Sequence, residues 1–86
     1  MYYVYILQSL KDYGFYIGYT SNLENRIKEH NSGKTQSLKR RTPLQVIYKE
    51  ELLNRIDAIK REREIKKYKG GTRFHKLIGG LKLVHR

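Results

Sequence analysis

The sequence predicts an α/β (α+β) domain: a central three-stranded antiparallel sheet flanked by helices, with elements in the order β-β-α-β-α-α. Three observations predict it. Two runs rich in tyrosine and β-branched residues, YYVYIL and FYIGY, are separated by SLKDYG, whose Ser, Asp and Gly suit a hairpin turn. Helix-opening patterns then occur at Ser21 and at Asn54. Glycine doublets, Gly70-Gly71 and Gly79-Gly80, punctuate the C-terminal part of the chain.

The first run alternates poorly in polarity, as expected of a strand covered on both faces, and the second returns antiparallel to it. Ser21 with Glu24 three residues on matches a capping box, Leu23 and Ile27 supply an apolar stripe, and Gly33 marks a stop just past the helix. The polar, basic segment GKTQSLKRRTP reads as an exposed loop closed by Pro43. Its cations Lys34, Lys39, Arg40 and Arg41 form a candidate phosphate-facing patch. Leu44, Val46 and Tyr48 alternate with Gln45, Ile47 and Lys49, predicting a third strand. Asn54 and Asp57 open a long helix to about Tyr68, and Thr72 caps a short one carrying Phe74, Leu77 and Ile78. Residues 79–86 take no assignment.

Composition narrows the function. At 86 residues the chain is expected to form one domain, 1–86, with one small core, which excludes a large multi-site enzyme. The absence of cysteine excludes disulfides and thiolate metal sites. No apolar run is long enough to span a bilayer and the N-terminus has no secretion-signal pattern, so a cytoplasmic location without membrane contact is expected. The 19 Lys and Arg against 8 Asp and Glu leave a net charge of +11, which attracts polyanions and makes nucleic acid the leading partner.

Specific residues sharpen this. Side chains alternate across a strand, so a register pairing odd with even positions puts Tyr5 and Tyr16 on one face of the hairpin. Val4, Ile6, Phe15 and Ile17 then share the opposite, apolar face. On the long helix, Ile56, Ala58, Ile59 and Ile65 define one side; Glu62 falls near its middle, whereas Glu64 points away. An inward carboxylate needs an ion-pair partner, for which Arg26 is a candidate, or a bound cation. Phosphodiester hydrolysis needs a group that orients or deprotonates water, a cation at the phosphate and an acidic metal ligand, which tyrosine, arginine and glutamate can supply. One carboxylate suits Mg²⁺ or Mn²⁺; three histidines without paired spacing make a poor zinc site.

These residues resemble the GIY-YIG nucleases. Tyr3-Val4-Tyr5 is similar to the first motif and Tyr16-Ile17-Gly18 is a literal second motif. A helix with Arg26 and His30 in an R-x-x-x-H arrangement follows, then Asn31-Ser32-Gly33, and later AIKRERE, which places the family's glutamate on Glu62. The resemblance covers nearly the whole chain and is closest to small stand-alone members similar to the catalytic domain of the bacterial excision-repair incision subunit. Two positions depart from the pattern: Tyr3 stands where the first motif has glycine, and no asparagine follows the glutamate helix.

The resemblance implies a DNA endonuclease using one divalent ion, Mg²⁺ or Mn²⁺, in DNA repair or recombination, structure-directed or weakly sequence-specific. It makes Tyr5 the general base or water-orienting group, Tyr16 an aid to positioning water and phosphate, Arg26 the stabiliser of phosphate charge and Glu62 the metal ligand. For His30 it leaves phosphate contact, the proton network and packing open. Gly18 keeps the cleft floor open. Reading of DNA is expected through phosphates, shape or flaps, with RNA as a further substrate class and a protein partner for targeting. The alternative is a non-catalytic basic nucleic-acid-binding module on the same fold, which needs the cationic loop but neither Tyr5 nor Glu62.

Overall fold

The computed structural model describes residues 1–32 and 40–79. They form β1 (Tyr2–Ser9), β2 (Phe15–Thr20), α1 (Leu23–Asn31), β3 (Leu44–Leu52), α2 (Arg55–Lys67) and α3 (Thr72–Gly79), the element order that the sequence predicts. The strands make one antiparallel sheet in the order β2-β1-β3. Among the described residues no helix is long and apolar enough to cross a membrane.

The central strand explains the poor polarity alternation of YYVYIL. Val4, Tyr5, Ile6 and Leu7 are all buried, because helices cover both faces. On one face Val4 and Ile6 pack with Ala58 and Ile65 of α2 and Phe74 of α3. On the other, Tyr5, Leu7 and Leu44 pack beneath Leu23 and Ile27 of α1. Phe15 closes the first cluster edge-on against Phe74, with ring centroids 4.9 Å apart.

The β1–β2 register pairs odd with even positions: Tyr5 lies opposite Gly18, and Leu7 opposite Tyr16. Their turn is built from side chains. Ser9 Oγ accepts from the N–H groups of Lys11 and Asp12, and Asp12 Oδ1 accepts from Gly14 N–H at 2.8 Å.

Four local expectations change, one of them at α3, where Thr72 is the first residue inside the helix and does not cap it: the carbonyl of Gly71 accepts from His75 N–H. The cap of α1 is Asn22, whose Oδ1 accepts from Asn25 N–H at 3.0 Å, so the Ser21–Glu24 capping box does not form. Thr20 Oγ1 already accepts from Asn22 N–H, which moves the helix start one residue on. In β3 the register shifts between Ile6, opposite Tyr48, and Leu7, opposite Val46. Ile47 is the extra residue of this bulge, so Tyr48 packs with the α2 cluster while Leu44 and Val46 stay on the α1 face. Finally, Ile56 is 65% exposed and lies outside the packed side of α2. Gly33 lies outside the described residues.

Two polar clamps set the helices. The Asn31 carboxamide accepts from Leu44 N–H at 2.7 Å and donates to Leu44 C=O at 3.1 Å, tying the end of α1 to the start of β3. Arg61 of α2 donates to both carboxylate oxygens of Glu50 on β3 and, at 2.8 Å, to Glu64. The Tyr48 hydroxyl also donates to Glu50. Around α2, Ala58 and Ile65 lie between Arg61 and Glu62, which are about 100° apart. Fixing Arg61 toward β3 therefore turns Glu62 toward β2, the opposite sheet edge.

Candidate nuclease cleft

A cleft of about 450 Å³ opens where α1 and α2 approach the edge strand β2. Tyr5, Tyr16 and Gly18 of the hairpin line it, with Arg26 of α1 and Glu62 of α2. Residues 19–21, Tyr2 and Arg55 complete the lining. Tyr5, Tyr16, Arg26 and Glu62, widely separated in the chain, thus share one cavity.

Gly18 makes the floor. A Cβ at this position would lie 2.6 Å from the Tyr5 hydroxyl oxygen and 3.3 Å from a Tyr16 ring carbon. Only a residue without a side chain lets the Tyr5 ring lie across β2. The Tyr5 and Tyr16 centroids are 6.4 Å apart, as diagonal neighbours on one sheet face.

His30 stands behind the tyrosines and is not part of the cleft lining. It is 1% exposed, its Nε2 lies 3.1 Å from the Tyr5 hydroxyl, and its ring meets Tyr16 edge-on at 5.1 Å. Burial, then the nearby Arg26 charge, holds its pKa below the ordinary imidazole value, so the ring is neutral at neutral pH. Burial also pushes the Tyr5 phenol well above its ordinary range, and Tyr16 adds to that; Arg26 opposes the shift, while Glu62 and Glu29 reinforce it. Tyr5 therefore carries its proton at neutral pH, with its oxygen 3.1 Å from Nε2 of a neutral histidine. The structure does not show the lowered phenol pKa that a base acting alone would need.

Arg26 is about half exposed and sits 3.7 Å from Glu29, one turn along α1, leaving its guanidinium accessible to a ligand. Glu62, with a side chain 16% exposed, pairs with Lys66 at 3.1 Å rather than with Arg26. Among the described residues no group of three or more acidic or histidine side chains forms a ready-made metal cage, and Glu62 is the one carboxylate lining the cleft. That donor set fits Mg²⁺ or Mn²⁺, which retain waters and take oxygens from a substrate phosphate. Glu62 would hold the ion.

The cationic loop is only partly described. Lys34 and Lys39 lie outside the described residues. Arg40 is exposed and away from the cleft lining. Arg41 pairs with Asp12 at 3.1 Å and lies so close over Gly14 that a Cβ there would meet its guanidinium. It is thus committed to the hairpin turn.

The cleft also contains Arg55, which sequence reasoning passed over. It stands seven positions before Glu62, and seven steps of about 100° bring the two within roughly 20° on the helix wheel. That spacing was the available signal.

The family model described as the GIY-YIG catalytic domain matches residues 1–74. Among curated proteins, a UPF0213 protein of Clostridium perfringens is 46% identical over 78 residues, covering 90% of this chain and 80% of the relative. A UPF0213 protein of Oceanobacillus iheyensis is 41% identical over 76 residues, covering 87% and 84%. The solution NMR structure of a UPF0213 protein from Bacillus halodurans aligns with a TM-score of 0.53 at 34% identity, covering 95% of this chain and 86% of that one.

Proposed function

The chain belongs to the GIY-YIG family, whose catalytic domain implies a nuclease acting on DNA, and on that premise we propose that it is a divalent-metal-dependent endonuclease hydrolysing DNA phosphodiester bonds. The observation that supports this reading is the convergence of Tyr5, Tyr16, Arg26 and Glu62 on one cleft floored by Gly18.

In this mechanism the substrate phosphate enters between α1 and α2. Arg26 faces its non-bridging oxygens and stabilises the negative charge that grows as water attacks. Tyr16, beside Tyr5, orients that water and the phosphate. The water passes a proton to the Tyr5 oxygen while the Tyr5 proton moves to Nε2 of neutral His30. The new P–O bond forms as the bond to the leaving oxygen breaks, and that oxygen takes a proton from solvent in the open cleft. The relay removes the need for free phenolate, which the burial of Tyr5 disfavours. A Mg²⁺ or Mn²⁺ ion on Glu62 would supply further charge neutralisation at the phosphate.

The net charge of +11 supports binding through phosphates, hence action directed by DNA structure or weakly by sequence, consistent with repair or recombination. RNA as substrate and delivery by a protein partner belong to the same proposal. The test is incubation of purified protein with branched, flapped, single-stranded and duplex DNA, with Mg²⁺, Mn²⁺ or chelator, alongside Glu62→Ala. Metal-dependent cleavage absent from the variant supports the enzyme. Salt-sensitive binding without cleavage would assign the chain to the non-catalytic nucleic-acid-binding class.

A further inference from the structure

Where β3 passes into α2, three large apolar side chains face water: Leu53 at 81% exposure, Ile56 at 65% and Met1 at 58%. Tyr2 lies opposite Leu52 in the last pair of the β1–β3 ladder, and Met1 and Leu53 are the chain neighbours of that pair, just beyond the end of the sheet. Leu53 lies just before the α2 cap, Asn54, and Ile56 lies just inside the helix. Between them in sequence is Arg55, which lines the nuclease cleft, as does Tyr2 next to Met1. The corner thus adjoins the cleft along both strands of chain that build it.

Packing does not account for these residues. Ile56 points away from the core seam of Ala58 and Ile65, and Leu53 is too exposed to staple the helix start. Arg55 is exposed and makes no ion pair among the described residues, whereas Arg26 has Glu29 and Lys66 has Glu62. Asp57, the nearest acid in sequence, projects about 160° away from Arg55 around the helix. A free guanidinium amid exposed aliphatic groups matches a ligand that is anionic on one side and apolar on the other. An unstacked nucleotide has that character. Three side chains fall far short of the roughly 800 Å² per partner of a stable protein interface, so the patch is of a size for a single small group beside an anion.

We infer that the corner of Leu53, Arg55 and Ile56, with Met1, is a subsite for an unpaired nucleotide beside the cut: Arg55 takes its phosphate, and the aliphatic side chains cover its base. The inference rests on the nuclease reading for its location and adds a substrate class, DNA in which a base next to the cleavage position is free of the stack. Arg55 and Glu62 are seven residues apart, about 10 Å along the helix axis, so Arg55 takes a phosphate neighbouring the one cut. Aliphatic side chains serve elsewhere as wedges against unstacked bases.

Binding measured by fluorescence anisotropy in chelator, where nothing is cut, tests this separately from catalysis. The probes are duplexes carrying one unpaired nucleotide, either with its base or abasic. Wild-type protein is expected to prefer the probe with the base by about fivefold, the size of one partly buried aliphatic contact. Leu53→Ser/Ile56→Ser should lose that preference, Leu10→Ser at the opposite end of β1 should keep it, and Arg55→Ala should lower the slope of log affinity against log salt by about 0.9. Equal affinity for the two probes in wild type, a preference surviving in the double variant, or a dimer of wild type that the double variant abolishes would overturn the inference. Failure of the nuclease reading would show separately, as absence of metal-dependent cleavage by wild type.

Discussion

The Tyr5 hydroxyl and Nε2 of His30 lie 3.1 Å apart, joining the middle of β1 to the end of α1 across a separation of 25 residues. Both side chains are 1% exposed, so the contact is inside the protein, and Tyr5 also forms part of the cleft lining. Removing the hydroxyl while keeping the ring should interrupt the proton path. Tyr5→Phe is expected to slow DNA cleavage by about 100- to 10,000-fold while phosphate-driven binding in chelator is retained. Single-turnover rates and anisotropy measured together check this, and cleavage within tenfold of wild type removes Tyr5 from the role.

The same pair sets the pH dependence. His30 must be neutral to accept the proton, and burial with Arg26 holds its pKa below the ordinary value of about 6.5. The rate should therefore fall by less than half as pH drops from about 7.5 to 6.5. A rate that halves over that interval would show that His30 titrates as an ordinary imidazole.

Glu62 and Glu64 lie two residues apart, about 160° around α2 from one another. Glu62→Ala should abolish metal-dependent cleavage. Glu64→Ala should leave it intact and cost about 0.5 kcal/mol or less of stability through the exposed pair with Arg61. Equal loss of cleavage in the two variants is incompatible with Glu62 as the metal-holding acid.

At Gly18 an added methyl group would enter the space of the Tyr5 hydroxyl, 2.6 Å from its oxygen. Gly18→Ala should destabilise the fold by about 1–3 kcal/mol as the ring shifts, and should reduce cleavage beyond what lost folded protein explains. Urea denaturation gives the first quantity and activity per folded molecule the second. Wild-type stability in the variant would mean that the Tyr5 ring can move aside without strain.

The Arg61–Glu50 clamp is part-buried and multiply hydrogen-bonded, and it holds α2 in the rotation that points Glu62 at the cleft. Hydrogen bonds from Arg61 and Tyr48 hold the Glu50 carboxyl below its usual range despite burial, and the Tyr48 phenol is pushed up to about 12. Because the folded-state pKa of Glu50 is depressed, its stabilising effect is complete above the ordinary carboxylate range and is lost as pH falls through the lowered value. Glu50→Gln should cost about 1.5–3 kcal/mol at neutral pH, with a smaller difference from wild type in acid. Denaturation midpoints at the two pH values check it.

Much of the architecture was legible because local chemistry specified it. The Asn54 cap accepts from Asp57 N–H as the sequence predicted, and the order of elements agrees throughout. The predicted odd-with-even register is the one that lets Tyr5 lie over Gly18. At the start of α1 the cap is Asn22 and not the predicted Ser21, because Thr20 Oγ1 already accepts from the Asn22 N–H. Ile56 was grouped with Ala58 and Ile65, although steps of about 100° put it some 160° from the first and 180° from the second, on the outward side where it is exposed. That same exposed residue now marks the corner beside Arg55.

By itself the sequence determined the order of strands and helices, the cap of α2 and the positive charge, which follow from side-chain period, capping and composition, and its motifs named Tyr5, Tyr16, Gly18, Arg26 and Glu62 of the cleft but not Arg55. Tertiary structure alone decided that Tyr5 stays protonated against a neutral His30, that Glu62 pairs with Lys66 rather than Arg26, and that Arg41 serves the hairpin turn. The physical reason is that burial and pairing depend on what packs across the sheet. Desolvation and proximity are properties of distances between segments, and no spacing along the chain encodes them.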